Sequence, residues 1–71
     1  KLMVYFQRIR KTRHYMEHHE REVPWHEVIE AIFATKNPRR NGEVFEIDNK
    51  SLYVVFKVEK GVLSVINAKR K

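Results

Sequence analysis

Residues 43–68 read EVFEIDNKSLYVVFKVEKGVLSVINA, and this stretch decides the fold. In 43–48, Phe45 and Ile47 alternate with Glu46 and Asp48, the period-two pattern of a half-buried strand. Asn49 and Lys50 supply a turn. Residues 51–58 are apolar on both faces, as in a strand with neighbours on either side. Leu52, Val54, Phe56 and Val58 then point one way, and Tyr53, Val55 and Lys57 the other. Glu59-Lys60-Gly61 is a tight turn in which Gly61 can take a positive φ. The third strand runs over 62–68. Short connections of this kind join neighbouring antiparallel strands, so the stretch is a three-stranded antiparallel meander.

Upstream, Trp25, Val28, Ile29, Ile32 and Phe33 recur at helical spacing behind Pro24, which suits a first helical turn. Asn37-Pro38 ends that helix. Residues 12–22, TRHYMEHHERE, form a first helix capped by Thr12, with Tyr15 and Met16 as its only apolar residues and a broad polar face. Val23-Pro24 separates the two helices. Residues 3–9 contain β-formers and read either as a leading strand or as a lead-in to the first helix. Residues 37–42, NPRRNG, read as a loop. The expected architecture is α+β, with two N-terminal helices packed on a small antiparallel sheet. The expected core is Trp25, Val28, Ile29, Ile32, Phe33, Val54 and Phe56. One domain over 3–71 accounts for the pattern, with Lys1 and Leu2 set outside it as residues of undecided origin.

Composition narrows the function. The chain has 71 residues and a formal net charge of +6, from 15 Lys and Arg against 9 Asp and Glu. That surplus favours a polyanion or an acidic protein as partner. Cysteine is absent, which excludes disulfides and cysteine-based zinc sites and suits the cytoplasm. No apolar run approaches the roughly 20 residues that span a bilayer, so no membrane role is expected. A domain of this size has a small core, and a second copy in a homodimer or a partner protein can add burial.

Four groups of residues can carry chemistry. His14 and His18, spaced i and i+4, share a helix face, and Arg10 and Arg21 lie within about a turn of them if the helix extends. Histidine exchanges protons near neutrality, and arginine holds phosphate. The alternative is a solvated polar face. With two well-placed histidines, Glu17 or Glu22 nearby and no HExxH motif, no metal and no other cofactor is expected. Arg39-Arg40 is either a phosphate clamp or an ordinary surface pair. Ser64, Asn67, Lys69 and Arg70 bring polar and basic groups to the end of an otherwise buried strand, and a frayed basic terminus is the competing reading. Tyr5, Tyr15, Trp25 and Tyr53 can stack on bases where exposed. Trp25 falls on the core face of its helix and Tyr53 on the uncovered face of the sheet.

Residues 12–70 resemble the RelE/ParE toxin superfamily, and BrnT-type toxins with related small domains most closely. The family carries a histidine and basic residues on its first helix. A break of the form (R/H)-G-(V/I)-S-x-E-E-(V/A) follows, here Arg21-Glu22-Val23-Pro24-Trp25-His26-Glu27-Val28. Glu22 stands where the family often has glycine, and Pro24 where it has serine. The family's strands "l-x-V-V-(Y/F)" and "l-x-V-I-x-A-(R/K)-(R/K)" match Leu52 to Phe56 and Leu63 to Arg70. The resemblance implies a RelE-like fold and metal-independent cleavage of messenger RNA, often on the ribosome, by attack of the 2′-hydroxyl on its own phosphate. It implies a cognate antitoxin as partner. It assigns catalytic roles to His14, Lys69 and Arg70. His18, Arg21, Arg39, Arg40 and Tyr53 join as RNA-binding candidates from charge and exposure. The same superfamily includes gyrase-directed toxins, and a non-catalytic RNA- or protein-binding module is the further alternative.

Overall fold

The structure, a computed structural model, describes residues 5–71. Met3 and Val4, the first residues of the expected leading segment, lie outside that range. The chain runs β1 (Arg8–Lys11), α1 (Arg13–His18), α2 (Trp25–Ala34), β2 (Arg39–Asn41), β3 (Val44–Asp48), β4 (Leu52–Glu59) and β5 (Val62–Arg70). The fold is α+β, and the meander β3-β4-β5 is present. The sheet is larger and less uniform than expected. It has five strands in the order β1-β5-β4-β3-β2, and β1 lies parallel to β5 while every other pair is antiparallel. The undecided segment at 3–9 therefore leads into a short strand. Ile9 pairs with Leu63 rather than continuing toward the helix.

β2 corrects the reading of 37–42 as loop. Arg39, Arg40 and Asn41 pair with Glu46, Phe45 and Val44 through the two-residue turn Gly42-Glu43. Gly42 takes φ +64° there. At the β4-β5 turn, both central residues have positive φ, Lys60 at 51° and Gly61 at 77°, as a type I′ hairpin requires. The β3-β4 connection includes Ser51 as well as Asn49 and Lys50. The Asn49 side chain accepts from the backbone N–H groups of Ser51 and Leu52 at 2.8 and 2.7 Å, an Asx turn. Val55 pairs with Asn67 and Phe56 with Val65, so Ile66 is an extra residue, a β-bulge in β5. The bulge explains why the buried residues of β5 are Leu63, Val65 and Ala68 rather than a strict alternation.

The first helix is much shorter than 12–22. Thr12 caps it as expected, its hydroxyl accepting from the Tyr15 N–H at 3.2 Å. The N–H groups of His19 and Glu20 both turn to the Tyr15 carbonyl, at 2.8 and 2.9 Å, and the helix ends. The cause is tertiary. Tyr15 and Val23 are both fully buried, and the Tyr15 hydroxyl donates to the Val23 carbonyl at 2.6 Å. Drawing Val23 under α1 overrides the weak helical preference of a short polar segment.

Both helices supply the core on one sheet face. Tyr15, Val23, Val28, Ala31 and Ile32 pack with Ile47, Leu52, Val54, Phe56, Leu63, Val65 and Ala68. Four of the seven expected core residues, Val28, Ile32, Val54 and Phe56, are buried, and Trp25 packs against the core half-buried. Ile29 is a correction, being half-buried and outside the group of residues that form or pack against the core. Phe33 is a correction, being 64% exposed. The buried stripe of α2 is centred on Val28 and Ile32 with Ala31 beside them, which turns Phe33 outward against Phe6. The opposite sheet face carries Tyr53, Val55 and Lys57 as expected. By strand register, Arg39, Glu46, Asp48, Ser64, Asn67 and Lys69 share that face. None of the helices among the described residues is long and apolar enough to cross a membrane.

Candidate functional site

β1 pairs only with the first half of β5. Beyond Lys11 the chain turns at Thr12, whose N–H and hydroxyl both donate to the Val65 carbonyl, at 3.1 and 2.8 Å. α1 therefore lies against the second half of β5, where β1 has ended. Tyr15 faces inward, and His14 and His18 face out one turn apart.

The early end of α1 adds a third imidazole. His19 leaves the helix with φ −130°, and its ring comes round beside His14. The two Nε2 atoms are 3.2 Å apart. Ring centroids are 4.8 Å apart for His14 and His18, 5.0 Å for His14 and His19, and 6.2 Å for His18 and His19. Burial lowers the pKa of His19, and the positive charges of His14, His18 and Lys69 add to the effect against the opposing pull of Glu22. His19 is thus held in its neutral, proton-accepting form to a lower pH than an ordinary histidine. Sequence reading passed over His19, because a helix extending to 22 places it on a different face. The His18-His19 pair is the only signal in the chain, and it acquires meaning only once the helix ends at His18.

The remaining candidates divide. Lys69 is exposed on β5 opposite Tyr53, and its charge reaches His19. Arg21 is exposed in the turn between the helices. Arg70 follows Lys69 but is engaged. Its two terminal nitrogens donate to the two Glu27 oxygens at 2.8 and 2.9 Å, and its backbone N–H to Glu22 at 3.3 Å. That pair ties the end of β5 to the first turn of α2, and it holds the Glu27 carboxyl below its usual pKa.

Arg39 and Arg40 stand on the far edge strand, three strand spacings or about 14 Å from β5. Arg39 pairs with Glu46, which also accepts from Asn41 at 3.0 Å and is only 8% exposed. Arg40 points to the other face, over the Phe45 ring at 5.7 Å. The structure does not bring these arginines to the histidines. Arg10 likewise lies on β1 rather than on the helix, donating to the Ser64 hydroxyl at 3.2 Å. Tyr53 is half-buried on the open face, its pKa raised by burial and then by the charge and hydrogen bond of Glu46. Tyr15 is buried and cannot stack on a base, whereas Tyr5 is exposed. Trp25 packs on Tyr15 with its ring centroid 5.6 Å away, and Lys11 lies over it at 5.5 Å.

The assembled site is an exposed patch of imidazoles at the edge of the sheet, with Lys69 adding positive charge. It offers proton acceptors and nitrogen ligands. Comparison of the chain with models of protein families, with curated proteins and with solved structures found no match.

Proposed function

We propose that the protein is a metal-independent endoribonuclease of the RelE-like toxin type, acting on messenger RNA in the cytoplasm and held in check by a cognate antitoxin. The observation that carries this reading is the convergence of His14, His18 and His19, with the charge of Lys69 acting on His19. RNA contains its own nucleophile, so the protein has only to move protons and steady charge on the phosphate. His19, held neutral and in contact with His14, takes the proton of the 2′-hydroxyl. The oxygen attacks phosphorus, a 2′,3′-cyclic phosphate forms, and the bond to the 5′-oxygen breaks. That oxygen takes a proton from a second ring. His18, its ring 6.2 Å from that of His19, is far enough away to stand across a phosphate. His14 stands to one side of the pair, 4.8 Å from His18 and 5.0 Å from His19 by ring centroid, and Lys69 attracts the phosphate.

Single-turnover cleavage of a labelled RNA, with chelator present and with or without ribosomes, tests the reading. His14→Ala and His19→Ala are each expected to lower the rate by about 10²–10⁴-fold, the usual worth of positioned proton transfer. Parent-like cleavage by both variants would refute the assignment.

A second reading, a non-catalytic RNA- or protein-binding module, is favoured by one observation. Arg70 and Arg39 are already occupied by Glu27 and Glu46, which leaves fewer free guanidinium groups for a reacting phosphate. A parent protein that binds RNA and leaves it intact in both settings would establish that reading instead.

A further inference from the structure

The histidine cluster has a second chemical capacity that the proton-transfer reading does not use. His14 and His19 approach through their Nε2 atoms, 3.2 Å apart. Two nitrogens bound to one tetrahedral zinc at about 2.0–2.1 Å stand about 3.3–3.4 Å from each other. The contact is an Nε2–H···Nε2 hydrogen bond, and its length is close to the spacing of two ligands on one ion, which would take the place of the shared proton. Imidazoles on a common ion have ring centroids about 5 Å apart, and the three separations here are 4.8, 5.0 and 6.2 Å. Backbone geometry produces this arrangement. His14 and His18 are stacked by the helical repeat, while His19 is brought round by the end of α1, which the buried Tyr15–Val23 contact fixes.

We infer that His14 and His19 form a two-nitrogen chelate for a divalent transition metal of the zinc, nickel or copper class, with His18 as the third ligand after rotation of its ring. Among the described residues no three His, Asp or Glu side chains are already arranged around one point. The preset part of the site is therefore the His14–His19 pair, and water fills the positions that His18 does not. Imidazole nitrogen is the donor these metals prefer, whereas magnesium and calcium favour oxygen. Both rings must carry their proton on Nδ1 so that the Nε2 lone pairs face the ion. Metal binding and proton transfer use the same lone pairs and exclude each other. The inference stands apart from the RNA reading, because it is tested by binding alone.

The test is calorimetric titration of the tag-free protein with zinc chloride at neutral pH, followed by nickel chloride. One ion per chain is expected, with micromolar affinity that fades as the pH falls below the ordinary histidine pKa of about 6.5. His14→Gln and His19→Gln should each weaken binding by about tenfold or more, at least the loss that follows removal of even an outer-shell partner of a metal site. Both positions are on the surface patch, and the circular dichroism spectra of the variants should match that of the parent. His26→Gln, an exposed histidine on α2 outside the cluster, should bind like the parent. His18→Gln should bind more weakly than the parent, and unchanged affinity there would remove His18 from the site. No binding at any zinc concentration below millimolar, equal binding by His19→Gln and parent, or loss in His26→Gln would overturn the inference.

Discussion

Replacing Tyr15 by phenylalanine removes a single oxygen from the centre of the molecule. Tyr15 and Val23 are both fully buried, and the hydroxyl gives the Val23 carbonyl its hydrogen bond at 2.6 Å. The ring stays against Trp25, so packing is retained and the loss is that of the polar pair. A buried carbonyl left without its donor costs about 1–3 kcal/mol. In a domain of this size each kcal/mol lowers Tm by about 4–8 °C. Thermal and urea unfolding followed by circular dichroism should therefore show a clear drop, with an unchanged urea slope if the fold is intact.

The same substitution has an alkaline signature. Burial, with the charges of Glu20 and Glu27 adding to it, pushes the Tyr15 hydroxyl up from 10.0 to about 12. The folded state favours the neutral form. Its contribution is complete below the unfolded pKa of 10.0 and is lost as the pH rises through about 12. The parent should lose stability across that window more steeply than Tyr15→Phe. Tyr53, also raised, is present in both proteins, so the difference isolates Tyr15. Equal melting temperatures, or equal alkaline slopes, would refute this account of why α1 ends where it does.

Lys60→Asn should raise stability by some tenths to about 1 kcal/mol in urea unfolding, because it replaces a residue strained at φ 51° by one that tolerates that region. Ile32→Ala should cost about 2–5 kcal/mol, whereas Phe33→Ser should stay within about 0.5 kcal/mol of the parent, and a reversal of that order would overturn the assignment of the core face of α2. RNA affinity, measured by fluorescence anisotropy, should fall with salt at a log–log slope of about 0.7 per phosphate contact, and Lys69→Ala should lower the slope by about that amount.

The meander and the main helix were legible because burial writes itself as period two in β3 and as i, i+3, i+4 in α2. Lys60-Gly61 announced its hairpin through glycine chemistry. Three features were not legible, and each has a nonlocal cause. β2 is exposed along its whole length and shows no alternation, so only its pairing with β3 makes it a strand. The end of α1 is set by a side chain bonding to a backbone eight residues away, with no breaker in between. The engagement of Arg70 by Glu27 joins residues 43 apart in the chain. The site shared this fate. His14 and Lys69 were identifiable by type, but the place of His19 depends on where α1 stops.

The position of β5 has a consequence for how the chain is made. This strand follows every other element in sequence, yet it lies inside the sheet between β1 and β4. During synthesis the ribosome delivers residues at roughly 5–20 per second, so β1 and both helices emerge seconds before the segment they pack on. Until then the inward residues of β4, Val54 and Phe56 among them, lack one flanking strand. Pairing Ile9 with Leu63 closes a loop over most of the chain, the kind of contact that slows folding. The nascent protein is therefore most open to chaperones, proteases and a binding partner in the interval before Val62–Arg70 docks.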